Sequence, residues 1–388
     1  MTYSLNPNVL NLPANPLRRI FEQARPGMIN LASGHPNPVY CDSAGLEAAS
    51  QLAAQDQSSW RYGASSGDPD LIEALSPWLT HADNTSSLIT SGAQQGIFLA
   101  CQALGQSGQT LLVPDPVYPA VLSVAVLLGL DIMPYRVSSV SAALEDVKAT
   151  TETQSNLCAI YVLPTFANPN GDTWSLEERD ALLDICAAAN LPIIEDDPYR
   201  ELWFQTTPPA RLIERAAERG LDLPVLSLGS LSKIVAPGLR VGWVQGPIAL
   251  VSAMTAARQA ADLQPNSLAQ RVALHYLLSG SLEPHLAKVR GEYAQAHHDF
   301  ASELENVGFT RLAVAGGMFV MPHLPETTRL EGLIEHINAE GLLVAPGSAF
   351  AIDTSTPSRQ LRLCFASLPR QDLAKAGKKL AKAVETWS

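Results

Sequence analysis

Residues 158–199 read CAIYVLPTFANPNGDTWSLEERDALLDICAAANLPIIEDDPY, and the spacing of their apolar side chains decides the fold. Cys158–Pro164 is a short, unbroken apolar run, which predicts a strand covered on both faces. Leu176–Asn190 has the spacing of an amphipathic helix, and Pro192–Asp196 is a second apolar strand that runs directly into carboxylates. Working outward, Ser87–Thr90, Thr110–Pro114, Val225–Gly229 and Arg240–Gln245 repeat the strand character, with helices expected over Gln94–Leu104 and Ala120–Leu128. Strands of this kind belong to an α/β fold with a mostly parallel central sheet flanked by helices.

Beyond residue 247 the rhythm changes. Three long helical patterns follow, at Ile248–Ala261, Ser267–Leu278 and Glu283–Val307. Strand-like runs at Leu312–Met321 and Leu361–Phe365 then flank a helix near Leu330–Ala339, and a last helix spans Gln371–Trp387. This predicts a small α+β domain. The first forty residues are rich in Pro and Asn around one helical piece, Pro16–Gln23, and are expected to form an arm. A chain of 388 residues exceeds the usual single-domain size of roughly 100–150. No repeat of solenoid length recurs.

Only 16% of residues are charged while 46% are hydrophobic, which implies extensive burial, part of it in a subunit contact. The net charge of −12, without a basic cluster, argues against nucleic-acid binding. The longest apolar stretch, Ala120–Leu130, is too short to cross a bilayer, and the N-terminus lacks the apolar core of a signal peptide, so a cytoplasmic protein is expected. Five scattered cysteines show no metal spacing and are expected as reduced core residues; no metal site is expected among the histidines. His297-His298, on a charged helix, is expected in solvent, and Trp60, Trp174, Trp203 and Trp243 in core or interface.

The common nucleotide signatures and HExxH are absent. Four short segments at strand ends remain, where open α/β sheets bind ligands. Ser230-Leu231-Ser232-Lys233, followed by Arg240, sets a lysine just past a buried strand. A desolvated lysine is a nucleophile suited to an imine, while the hydroxyls and Arg240 suit a phosphate. Taken alone, such a lysine is better read as part of a surface turn. Glu195-Asp196-Asp197-Pro198-Tyr199 sets carboxylates at a strand tip, where a buried Asp196 needs a cation such as a protonated pyridine nitrogen. The same residues also suit a helix N-cap, the better reading for Asp197 and an even one for Asp196. Asn168-Pro169-Asn170-Gly171 is turn chemistry that also fixes an amide near an oxyanion. Thr90-Ser91-Gly92-Ala93-Gln94 leads a strand into a helix whose free N–H groups suit an anion or simply a cap.

In this order and spacing the four segments resemble the pyridoxal 5'-phosphate-dependent aminotransferases of class I/II, fold type I, over about Arg18–Phe365. Glu195–Tyr199 and Gly316-Gly317-Met318-Phe319 look most like the branch with 2-aminoadipate, kynurenine and aromatic or branched-chain aminotransferases and the enzyme-like halves of certain regulators. The resemblance implies that Lys233 holds the cofactor as a Schiff base, that Asp196 pairs with the pyridine nitrogen, and that Asn168 and Tyr199 bond the ring oxygen. It further implies that Tyr118 stacks on the ring, and that Gly92, Ala93, Gln94, Ser230, Ser232 and Arg240 form the phosphate cup. Tyr62 matches a residue that reaches the neighbouring subunit's phosphate, hence a homodimer with shared sites. Arg362, with Asn168, matches the group that meets the substrate α-carboxylate. The strip around Gly34 lines the substrate side, and Arg18 matches, loosely, a position that meets an acidic substrate side chain.

Two departures stand out: Ala93 replaces a common Ser, and Ser33-Gly34 replaces a Gly-Gly pair. The resemblance implies transamination between an amino acid and a 2-oxo acid, by a ping-pong route. Another carbanion reaction of the same cofactor (C–S β-lyase, decarboxylase or racemase) and a pyridoxal-phosphate-binding sensor related to transcription regulators are the alternatives. It also implies a large cofactor domain over 46–280 and a small domain from 1–45 with 281–388.

Overall fold

The computed structural model describes residues 5–13, 15–353 and 357–387. Twelve strands occur among them: β1 (Ile29–Asn30), β2 (Thr85–Thr90), β3 (Thr110–Asp115), β4 (Asp131–Arg136), β5 (Leu157–Val162), β6 (Ile193–Asp196), β7 (Val225–Ser230), β8 (Gly242–Pro247), β9 (Phe319–Val320), β10 (Leu342–Leu343), β11 (Ala345–Pro346) and β12 (Leu361–Cys364). Seven of these make one sheet in the order β2-β8-β7-β6-β5-β3-β4. The pairs β3/β4, β3/β5, β5/β6 and β6/β7 are parallel, and β8 alone runs against its neighbours.

Successive side chains in these strands go to opposite faces, and both faces are covered. Leu111, Val113, Tyr161, Ile194 and Leu226 pack with Ile97, Val121, Val124 and Met254 of three helices. Their strand neighbours Leu112, Ile160, Val162, Ile193 and Val225 pack with Val147, Leu182, Leu183 and Leu212 on the other side. That two-sided burial is why the runs lack alternation. The helix Leu176–Ala189 between β5 and β6 starts in a capping box, with Ser175 Oγ accepting from Glu178 N at 3.2 Å and Glu178 Oε2 accepting from Ser175 N at 2.7 Å.

A smaller sheet, β11-β12-β9, lies against a third core. There Tyr293 and Phe300 of the helix Leu282–Glu305 meet Leu373, Ala376 and Leu380 of the helix Arg370–Glu385. β1 pairs in parallel with β10, which ties the N-terminal arm to the C-terminal part of the chain.

Three expectations are corrected. Leu312–Met321 is a strand only over Phe319–Val320, because Gly317 bends the chain at φ +81° and a Cβ there would lie 2.7 Å from that of Phe166. His297 is buried rather than solvated, its Nε2 2.8 Å from Leu312 O and its ring against Phe365. Asp196 and Asp197 cap no helix; Glu195 instead accepts from Leu212 N at 2.7 Å at the start of Leu212–Glu218, and Asp197 pairs with Arg200 and Arg211 at 3.6 and 3.7 Å.

Candidate active site

The C-terminal ends of β5, β6 and β7 open into a cavity of 640 Å³, whose wall also includes Arg362 of β12 and, from the N-terminal arm, Leu17 and Phe21. Its wall contains Lys233, Asp196, Tyr199, Tyr118, Asn168, Ala93, Gln94, Ser230, Ser232, Arg240, Arg362 and Gly34. Side chains that lie far apart in sequence therefore converge on one space.

Lys233 follows β7 by three residues, and its Nζ donates to Gly34 O at 2.8 Å. Burial, together with the cations Arg240 and Arg362, pushes the ammonium down to about 8, against the opposing pull of Cys364 and Asp196. An amine so placed is available in its neutral, nucleophilic form near neutral pH. Asp196 ends β6 and is 3% exposed. Burial raises its carboxyl to about 7, while the hydrogen bond from Tyr161 Oη to its Oδ2, 2.6 Å long, opposes that rise. Its Oδ1 has no hydrogen-bond partner. A buried, unpartnered oxygen on a carboxylate that lines the cavity is what a protonated ring nitrogen would complete.

The opposite end suits a phosphate. Gly92, at φ +84°, precedes the helix Ala93–Leu104, so the N–H groups of its first turn are presented to the cavity by residues 93 and 94. Arg240, itself at φ +53°, extends beside Gly92 and donates to Ser91 O at 2.8 Å and Ser232 Oγ at 3.3 Å. A Cβ on Gly92 would lie 2.6 Å from the Arg240 guanidinium, so this close approach requires glycine. Ser230 Oγ accepts from Ser232 N at 3.1 Å and turns the chain around the cup.

Arg362 on β12 is fully buried between the rings of Phe319 and Phe350, at 4.6 and 4.9 Å. It donates to Ala32 O at 2.5 Å and to Asn168 Oδ1 at 3.4 Å, and its Nε has no partner. Burial depresses the guanidinium below its ordinary range, so this cation is underused by the protein and fit for a carboxylate. Tyr199 is buried edge-on against Phe319, and burial raises its hydroxyl well above the ordinary value. Tyr118 Oη donates to Gln94 Oε1 at 3.3 Å.

Two sequence expectations lie elsewhere. Arg18 does not reach the cavity: its side chain is 82% exposed and pairs with Glu22 at 3.3 Å, because the helix Pro16–Glu22 turns its apolar face, Leu17 and Phe21, inward. Tyr62 is 86% exposed and outside the cavity of its own chain. Leu17, Phe21 and Tyr161 beneath Asp196 belong to the site without a motif that marks them; for the arm, the apolar pair spaced by four in Leu17-Arg18-Arg19-Ile20-Phe21 is the signal that the sequence offers. Among the described residues, no cluster of ligating side chains fits a metal, and no helix is long and apolar enough to cross a membrane.

An unpartnered carboxylate at one end, a glycine-and-arginine anion cup at the other and a desolvated lysine between them fit pyridoxal phosphate. The profile of the family "Aminotransferase class I and II" matches residues 26–380. Aromatic-amino-acid aminotransferase 1 of Thermococcus litoralis is 27% identical over 97% of this chain and 93% of its own. The crystal structure of kynurenine aminotransferase from Pyrococcus horikoshii, in complex with PMP, superposes with a TM-score of 0.89 at 26% identity, covering 98% of this chain and 97% of that one. That of LysN, the alpha-aminoadipate aminotransferase of Thermus thermophilus complexed with N-(5'-phosphopyridoxyl)-L-leucine, gives 0.88 at 26% identity, over 99% and 97%. The chain belongs to the class I and II aminotransferases, as a pyridoxal-phosphate-dependent transaminase of fold type I.

Proposed function

We propose that the cavity transfers the amino group of an amino acid with a neutral, apolar side chain to a 2-oxo acid, with Lys233 as both the cofactor's attachment point and the carrier of the Cα proton. When bound, pyridoxal phosphate supplies a ring that withdraws electrons from the substrate's Cα. The chain's own groups do the rest. Arg240, Ser230, Ser232 and the first N–H groups of the helix Ala93–Leu104 would hold the phosphate; Asp196 would keep the ring nitrogen protonated; Tyr118, Asn168 and Tyr199 would hold the ring. Lys233, the residue that would hold the cofactor, would carry the proton taken from the substrate's Cα. Two half-reactions in one cavity make the kinetics ping-pong.

The observation that carries the substrate class is the arm. The cations on the cavity wall are Lys233, Arg240 and Arg362, each already given a partner in this reading. Where the arm meets the cavity it offers Leu17 and Phe21, while Arg18 faces solvent. His35, also on the wall, is kept toward its neutral form by burial and by Lys233, Arg362 and Arg240. A second carboxylate on the substrate would thus be buried without a partner. In single-turnover half-reactions, leucine, methionine and phenylalanine are expected to exceed aspartate and 2-aminoadipate by roughly 10- to 100-fold in kcat/KM; equal rates for the dicarboxylic pair would overturn the assignment.

Arg362 is the proposed clamp for the α-carboxylate. Arg362→Leu is expected to lower kcat/KM by roughly 10²-fold, chiefly through KM, since a buried charge partner is lost. Cofactor affinity, measured by fluorescence quenching, should be unchanged, because the phosphate cup lies at the other end.

A homodimer is part of the proposal. Tyr62 and Trp60 stand 86% and 65% exposed, as expected of side chains that reach into a neighbouring copy. The division into a large domain, 46–280, and a small one, 1–45 with 281–388, is likewise proposed, supported by the β1/β10 pairing of the two chain ends. The cytoplasm is the proposed compartment, supported by five unpaired cysteines, four of them buried.

A further inference from the structure

β5 and β6 are parallel, with Tyr161 opposite Ile194. Side chains two apart on a strand share a face, so Tyr161, Ile194 and Asp196 lie on the same side of the sheet, and Tyr161 slants toward the strand tip. Its hydroxyl ends 2.6 Å from Asp196 Oδ2, and both side chains are shut off from solvent. A phenol in a core has a strict need for an acceptor. Here it satisfies that need on Oδ2, and leaves Oδ1 as the unpartnered oxygen of a carboxylate that lines the cavity. Main-chain anchoring adds rigidity: Tyr135 Oη donates to Tyr161 O at 3.1 Å.

We propose that Tyr161 is a positioning residue, which fixes the Asp196 carboxylate by donating to Oδ2 and so keeps Oδ1 ionised and aimed at the cofactor's ring nitrogen. This rests on the reading that Asp196 pairs with that nitrogen. Without the hydroxyl, burial acts on Asp196 with less opposition, the carboxyl becomes more basic, and the shared proton moves from the ring nitrogen to Asp196. The ring then withdraws electrons less well. Tyr161 acts through Asp196 and touches no reacting atom.

The test loads wild type, Tyr161→Phe, Tyr135→Phe and Asp196→Asn with pyridoxal phosphate labelled with ¹⁵N in the ring and reads the nitrogen chemical shift across pH. Tyr161→Phe is expected to move the shift toward the unprotonated value and to lower kcat roughly tenfold, with KM little changed. Tyr135→Phe also removes a buried hydroxyl, and should cost stability without moving the nitrogen. A wild-type shift in Tyr161→Phe, or a fold that no longer binds cofactor, overturns the proposal. If Asp196→Asn also keeps a protonated nitrogen, the reading of Asp196 itself fails; if only Tyr161→Phe does, the failure is confined to Tyr161. Should Tyr161→Phe not fold, 3-fluorotyrosine at position 161, a better donor in the same shape, decides the matter: the proposal needs the nitrogen to be held more firmly in its protonated form, and an unmoved titration sinks it.

Discussion

Lys233→Ala is expected to reduce the single-turnover half-reaction by ~10⁴-fold or more, because in the proposed reaction one amine serves both as attachment point and as proton carrier. The protein should still fold and bind pyridoxal phosphate, since the cup built by Gly92, Ser230, Ser232 and Arg240 does not involve the lysine. Removing Nζ leaves Gly34 O without its 2.8 Å donor, a loss that a water can make good in a cavity of this size. The pH dependence follows from the lysine's surroundings. With its ammonium lowered to about 8, the fraction of neutral amine in the cofactor-free protein rises as pH climbs from 7 to 9. Covalent trapping of cofactor by borohydride should therefore occur at Lys233 in wild type, with mass added to the peptide that contains it, and be lost in the variant. Added methylamine should restore part of the proton transfer. Wild-type turnover in Lys233→Ala would remove the lysine from the chemistry altogether.

What the sequence disclosed depended on whether a signal was local. β5, β6 and β7 are short apolar runs with a polar tip, and Asp196 and Lys233 sit at those tips, so strand and site were legible together. β4 was not, because Asp131-Ile132-Met133-Pro134-Tyr135-Arg136 is an edge strand whose outer side needs no partner, which tolerates proline and lets charge replace apolar residues. The helix Val140–Thr153 escaped notice for a related reason: only Ala143 and Val147 are buried, so its apolar stripe is narrow. Three side-chain placements were beyond local reading. Tyr161 looks like core filler in a buried strand until the β5/β6 register brings its hydroxyl beneath Asp196. Arg18 looked like the arm's chemical residue, yet the helix that carries it is oriented by Leu17 and Phe21. His297 sits in a charged stretch, but its face of the long helix packs on Phe365. In each case the deciding contact comes from residues distant in sequence.

Asp196→Asn separates function from stability, because the two effects have opposite signs. Activity should fall by ~10³-fold or more: an amide cannot accept a shared proton as a carboxylate does, the ring nitrogen loses its proton, and the ring's electron withdrawal weakens. The cofactor-free protein, however, should become more stable. The Asp196 carboxyl is raised from 3.8 to about 7 by burial, so the folded state binds that proton more tightly than the unfolded chain does. Stability tied to this group is full below pH 3.8 and is lost as pH rises toward 7, after which the folded protein carries a buried, half-partnered charge. Asparagine keeps the shape and an acceptor for Tyr161 without the charge. At pH 8 the cofactor-free variant should therefore exceed wild type by on the order of a few kcal/mol in urea denaturation, and the gap should close toward pH 4. Adding pyridoxal phosphate should reverse the ranking, since the protonated ring nitrogen supplies the missing partner only to the carboxylate, and binding to the folded state raises its stability in proportion to affinity. A cofactor-free Asp196→Asn no more stable than wild type at pH 8 would mean that the Asp196 carboxylate is already neutralised within the chain, leaving no unmet charge for the cofactor to complete.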